Sequence, residues 1–566
     1  MLFPLLLWTA LLCHVSDGRT SSQRHGPVIK QFPTFFILAP AKIRPGTKQN
    51  ILLESNNMQS DVSITIYDYP ISQSALMTGS VTLNSDNKYS ALTTIEIDPN
   101  VLQPDGKKKY VKLVAQFSSF HRAERILPVS FRSGYTFIQT DKPVYNPGDT
   151  VRYRAFVSDT EFRAAERTIS LEIQNPDGIA VHGLSRVKAI DGILSNTYPL
   201  STIAKEGKWK VVAKFDQAKE NIFSREFEVK KYVLPAFNVT LTPKTSHLRL
   251  DAEKLEVEVT ARYLYGEPVK GVAYLLFGIE INGEKKRLTS MKQLTDLNEG
   301  SVSLTMEEIK KAYPDTNSLL GSSVYIKASV MTSSGSDLVE AEKSGIKIVK
   351  SPYMLSIRDT PKYFKPGLPL GMTVTVSDHD GSPARNIPVK ISFLEKPMTE
   401  HSGTFKVYLN MPAMSSSGIL KVETADPSLK PEQQAIQEMR VEPYASFNNN
   451  GNYLHISVGS SRVVVGDTLN IQAHIKCNPP EHKRFVEHLT YAVLNKGNII
   501  HAARMDVRDL DIINIPLLVT KEMLPAFRFV AYYILPWKNI AEVVADSVFV
   551  DVEDRCVGSV SLFMTN

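Results

Sequence analysis

Between residues 474 and 488 the chain carries its densest group of metal-type ligands: His474, Cys477, His482 and His488, in AHIKCNPPEHKRFVEH. Imidazole and thiolate are ligands that zinc prefers, and four of them would complete a tetrahedral site. The spacing argues against one. If the segment before Asn478-Pro479-Pro480 is a strand, alternation sends Ile475 and Cys477 to one face and His474 to the other. The residues therefore read as a polar hairpin with no metal. In DHDGS (378–382) two carboxylates precede a glycine, as in some calcium loops. An EF-hand needs further ligands and a bidentate Glu at its twelfth position, and neither that frame nor flanking helices are present, so the stretch reads as a β-turn. The chain contains no Gly-x-Ser-x-Gly elbow, no His-Glu-x-x-His and no phosphate loop, and no catalytic residue, cofactor or metal is expected. One sequon, Asn238-Val239-Thr240, could carry an N-glycan. Phe237, Val239 and Leu241 would face inward on that strand and leave Asn238 reachable.

The elements that would position these residues are strands. PKYFKPGLPLGMTVTV (361–376) sets Pro366-Gly367 before a run in which Met372, Val374 and Val376 alternate with threonines. Proline presets φ near −65° and glycine accepts the positive φ that follows, the requirement of a type II turn. The same grammar recurs in YNPGDTVRYRAFV (145–157), in RPGTKQNILLE (44–54) and, without the proline, in VVVGDTLNIQAHI (463–475). Between Gly148 and Gly367 the spacing doubles, and LDAEKLEVEVTARYLYG (250–266) supplies the missing copy. Late strands echo as well: YVKLVAQF, WKVVAKF, VYIKASVM and FRFVAYYIL. A period of roughly a hundred residues is too long for a solenoid or a propeller blade. It suits an independent sandwich of about seven short strands. The fold class is therefore all-β: a tandem array of about five immunoglobulin- or fibronectin type III-like β-sandwiches plus the truncated start of a sixth. One short helix is expected over 306–314, MEEIKKAYP.

Length and composition agree. A chain of 566 residues is too long for one core. The net charge of +6 is small for that length and gives no reason to propose nucleic acid as a partner. Lys107-Lys108-Lys109 reads as a solvated hairpin tip. Residues 2–13, LFPLLLWTALLC, are too short to span a bilayer and, with the small residues that follow, read as part of a secretory signal over 1–18. No membrane insertion is expected, and the mature chain is expected outside the cell. Cys477 and Cys556 would then be the cysteines left, too few for a disulfide framework.

Several long motifs resemble the alpha-macroglobulin and complement thioester-protein superfamily. SGYTFIQTDKPVYNPGDTVRYR (133–154) is similar to the signature of its second macroglobulin domain. REFEVKKYVLP (225–235), VTARYLYGEPVKGVAYLLFGI (259–279), SPYMLSIRDTPKYFKPGLP (351–369) and VVADSVFVDVEDRCVGS (543–559) resemble the amino-terminal, beta-chain half of its complement-component-three branch. The resemblance implies a signal peptide (1–18), macroglobulin domains over 19–132, 133–232, 233–351, 352–443 and 444–553, and the truncated start of a sixth domain over 554–566. It implies that Cys556 has its disulfide partner beyond this chain. It also implies a secreted, non-catalytic scaffold and docking array in innate immunity. The expected partners are complement proteases, receptors or regulators, with docking centred on the fourth and fifth units (353–553). The thioester motif Gly-Cys-Gly-Glu-Gln does not occur in these residues, and neither anaphylatoxin nor bait segment is expected. Two other functions compete: endopeptidase inhibition of the alpha-macroglobulin class, and an adhesive β-sandwich array.

Overall fold

The computed structural model describes residues 9–13, 34–71, 74–102, 109–132, 134–216, 218–231, 235–298, 300–394, 402–413, 416–459, 463–537 and 540–553. Cys556 and the expected start of a sixth domain lie outside them. So does the expected signal segment, apart from Thr9–Cys13, which pairs antiparallel with Phe35–Ala39.

The alternating runs become strands, and the punctuation becomes turns. Gly46, Gly148, Gly367 and Gly466 have φ of 69°, 92°, 72° and 97°, values an L side chain rarely adopts. Each turn is closed by the residue after its glycine, as where the Leu368 amide donates to Lys365 O at 3.0 Å. Each glycine amide also donates across the sheet: Gly46 to Ile97 O, Gly148 to Ser201 O, Gly367 to Pro412 O and Gly466 to Val519 O. The turn thus locks the start of one strand to the end of its neighbour. After it, Leu370, Met372, Val374 and Val376 are all buried on one face of Pro369–Asp378, as the period of two requires. The third copy keeps the strand without the proline: Leu255, Val257 and Val259 are buried along Lys254–Tyr263.

Each unit packs two sheets face to face, four strands on four in the first unit and a three-stranded sheet on a larger one in the others. In the second unit the strands Ile193–Pro199, Thr150–Ser158 and Tyr135–Thr140 form one sheet, and a second has five strands. Just before the turn the chain crosses between sheets and pairs in parallel with the unit's last strand. Val144–Tyr145 does so with Glu228–Val229, His247–Arg249 with Lys347–Val349, and Tyr363–Phe364 with Glu442–Pro443. Single parallel bridges do the same in the first and fifth units, Ile43 with Val129 and Val464 with Glu553. Five separate apolar cores result, centred for example on Ile64, Tyr145, Phe277, Met372 and Phe529. The chain also divides into two compact units, Met1–Tyr232 with Ser446–Asn566, and Val233–Ala445. The first joins sandwiches one, two and five; the second holds sandwiches three and four.

The expected helix is Met306–Ala312. Thr305 caps it: its hydroxyl accepts from the Glu308 amide at 3.3 Å, while Glu308 accepts from the Thr305 amide at 2.8 Å. Lys292 completes the cluster with an ion pair to Glu308 at 2.9 Å.

Candidate functional site at the junction of the first and fifth sandwiches

Some strands of this chain do not alternate. Phe35–Ala39 is FFILA, and all five residues are buried. Phe35 and Ile37 point into the first core, while Phe36 and Leu38 join a sixth apolar cluster with Leu52, Ala492, Leu494, Ile499 and Tyr532. Two-sided burial needs a cover, and the outer face of the fifth sandwich supplies it. His488–Asn495 is correspondingly buried along nearly its whole length. The Phe36 and Tyr532 rings meet at 4.4 Å.

A carboxylate sits within this apolar seam. Glu54 is 3% exposed and accepts from the Tyr532 hydroxyl and, at 2.9 Å, from Thr490 Oγ1. Burial, then the Glu54 charge, pushes the Tyr532 hydroxyl well above the ordinary tyrosine value, so it stays a donor. Around this pair the seam is stitched by polar contacts. Arg504 Nη1 donates to Ser55 O at 2.9 Å and Lys88 O at 3.0 Å. The Asn50 amide donates to Asn498 Oδ1 at 2.8 Å, and Asn50 Nδ2 donates to Ile499 O at 2.7 Å. Asn57 Nδ2 donates to Glu487 Oε2 at 2.6 Å, and Asn57 Oδ1 lies 3.2 Å from His488 Nε2. Burial, then the Arg504 charge, holds His488 below its ordinary value. The cavity bounded by Glu54, His488, Thr490, Arg504 and Tyr532 is only about 30 Å³. Small-molecule pockets are roughly ten times larger or more, so the arrangement suits holding two domains in register rather than admitting a substrate.

The residues singled out in the sequence fall elsewhere, apart from His488. The four metal-type ligands are not brought together. His474 lies against His455, with ring centroids 6.0 Å apart; Cys477 Sγ is buried 3.9 Å from Tyr533 Oη; His482 lies beside Phe485, and His488 beside Asn57. Among the described residues no three His, Cys, Asp or Glu side chains are grouped for a metal. DHDGS is a turn: Gly381 has φ 88°, its amide donates to Asp378 O, and Asp380 Oδ1 accepts from the Ser382 amide at 2.9 Å. Asn238 and Thr240 are exposed on Phe237–Pro243, an edge strand of its sheet. Glu54, Tyr532, Thr490 and Arg504 were not anticipated from the sequence; the lack of alternation in FFILA and in TYAVLN (490–495) was the signal for them.

Fold and junction together define a tandem macroglobulin-domain protein. Macroglobulin domain MG1 matches residues 32–130, the MG2 domain 135–229, Macroglobulin domain MG3 231–313 and Macroglobulin domain MG4 355–444. An Alpha-2-macroglobulin bait region domain matches 454–566, whose described part is the fifth sandwich. The expectation that no bait segment is present therefore finds no support. Cobra venom factor of Naja kaouthia is 36% identical over 532 residues, 93% of this chain and 32% of the venom factor. Complement C3 of Naja naja is 36% identical, with the same shares, and complement C3 of Oncorhynchus mykiss is 36% identical over 550 residues, 93% of this chain and 33% of that protein. The chain belongs to the alpha-macroglobulin family, on its complement C3-like side. It spans about a third of the length of these relatives. Among the described residues no helix is long and apolar enough to cross a membrane.

Proposed function

We propose that this chain is a secreted, non-catalytic scaffold that presents docking faces to complement proteases, receptors or regulators. The observation that carries this reading is the Glu54 junction: a buried carboxylate with two hydroxyl donors inside an apolar seam holds the first sandwich on the fifth. Surfaces on domains held at fixed angles bind without first losing orientational freedom. The likeness to complement C3 and the venom factors supports partners from the complement system. In this reading the fourth and fifth sandwiches carry the docking, and Asn238 is glycosylated.

Immobilised chain exposed to purified complement proteases, receptors and regulators tests the reading. Reversible binding is expected, with no adduct to a hydroxyl-rich surface that survives detergent. A panel without one reversible binder, or a covalent adduct, would contradict it.

The match to a bait region domain supports a second reading, endopeptidase inhibition. Its mark would be a protease that loses activity on a large substrate and keeps it on a small one after incubation with the chain.

A further inference from the structure

We propose that the outer face of the three-stranded sheet in the second sandwich is a docking surface for an acidic peptide segment with apolar anchors. One rung of that face is apolar across its width: Phe137, Phe156 and Ile193 stand opposite one another on adjacent strands. Phe137 is 54% exposed and Ile193 43%. Phe162, 52% exposed, extends the patch by stacking on Tyr135 at 4.6 Å, and the Arg132 guanidinium lies over the Tyr135 ring at 5.2 Å. Phe162 holds φ 63°, an unusual backbone for a bulky residue. The turn beneath it is pinned by Asp159, whose carboxylate accepts from the Glu161 amide at 2.8 Å, the Arg163 amide at 3.0 Å and Arg163 Nε at 2.9 Å. A strained, exposed aromatic held rigidly is a feature of binding surfaces.

The repeat identifies what this face is for. Glu54 and Phe156 each stand eight residues after the turn glycine of their unit. The rung Phe36–Glu54–Ser90 of the first sandwich is therefore equivalent to Phe137–Phe156–Ile193 of the second. In the first sandwich that rung is the centre of a docking face, with Phe36 2% exposed. In the fourth, the equivalent rung is Ser356–Thr375–Thr404, which is polar. The fold does not require an apolar rung there, and the second sandwich has one that is open.

Charge selects the occupant. Arg154 and Arg152 occupy the next two outward positions on the central strand and are exposed. Among the described residues neither has a carboxylate within ion-pair distance, in contrast to Arg163, paired with Asp159 and Glu161. An apolar rung bordered by uncompensated guanidinium groups fits a segment that alternates carboxylates with apolar side chains.

The test is fluorescence anisotropy of the full chain with a labelled peptide of alternating Glu and Leu, beside its Lys-for-Glu counterpart. Binding of the acidic peptide alone is expected, weakened about tenfold or more, roughly 1.4 kcal/mol, by Arg152→Glu with Arg154→Glu. Phe137→Ser should weaken it comparably, while Met354→Ser on the fourth sandwich should leave it unchanged. If Phe137→Ser lowers folding, the surface arginine pair still decides. Binding of both peptides alike, no binding, or insensitivity to the arginine pair would overturn the proposal. So would a concentration-dependent dimer lost in Phe137→Ser, which would make a second copy the occupant.

Discussion

Glu54 and Tyr532 lie 478 residues apart in the chain and share a buried hydrogen bond. Tyr532→Phe keeps the ring against Phe36 and removes only the donor. A buried carboxylate that loses a hydrogen bond costs about 1.5–3 kcal/mol. The expected outcome is a loss of that size for the coupling of the first and fifth sandwiches, seen by calorimetry as a lower and broader transition. An unchanged transition would show that the bond contributes nothing to the seam.

The same junction sets two limits of pH. Folded Tyr532 holds its proton more tightly than the unfolded chain does, so its contribution is complete below about pH 10, the ordinary tyrosine value, and is lost as pH rises beyond it. His488 is shifted the other way. Its folded form resists protonation, so its contribution is complete above about pH 6.5 and is lost as pH falls below that value. Unfolding midpoints measured across pH should fall on both sides, and His488→Gln should flatten the acid side.

Among the described residues Thr305 governs the one α-helix. Thr305→Ala removes the hydroxyl that accepts from Glu308 N, at a cost of about 1 kcal/mol to the third sandwich. Glu308 should respond to acid as well. Burial opposes its charge, but hydrogen bonds from Lys292 and Thr305 outweigh that and hold its pKa at about 2. Its contribution is therefore complete above the ordinary Glu value and is lost as pH falls toward about 2. A urea midpoint for Thr305→Ala equal to that of the parent would contradict this account of the cap.

Gly367 tests the repeat. Its φ of 72° is strained for any side chain, so Gly367→Ala should destabilise the fourth sandwich by about 1 kcal/mol or more. Gly418→Ala, in a strand of the same sandwich and with only a Val441 methyl near the added carbon, should cost less. Equal effects in urea unfolding would contradict a turn that needs glycine for its conformation.

Asn238 is exposed at a sheet edge, so secreted chain should run faster on a gel after glycosidase treatment, and Asn238→Gln should abolish the difference. A parent chain that does not shift would remove the glycan from the proposed function.

Much of this fold is legible in single segments, because a period of two reports one buried face. Met372, Val374 and Val376 are buried where the alternation places them, and Ile475 and Cys477 join the fifth core while His474 does not. The glycines at 46, 148, 367 and 466 announce turns because positive φ restricts residue type locally. The junction is different. Phe36 and Leu38 break the alternation and so declare a second buried face, but nothing local names what covers it. A bond between residues 54 and 532 is fixed by how domains pack, and neither short segment encodes its partner. The apolar rung of the second sandwich was hidden for a related reason. Phe137, Phe156 and Ile193 come from three strands, and only their register makes them neighbours.

The central claim is that the first sandwich is held on the fifth. A site-specific protease sequence inserted between Tyr232 and Val233, where the two compact units divide, tests it most directly. After cleavage, the piece with the first two sandwiches should stay with the piece containing the fifth on gel filtration, and Tyr532→Phe should loosen the pair. Complete separation of the two pieces in the parent chain at neutral pH would contradict the account.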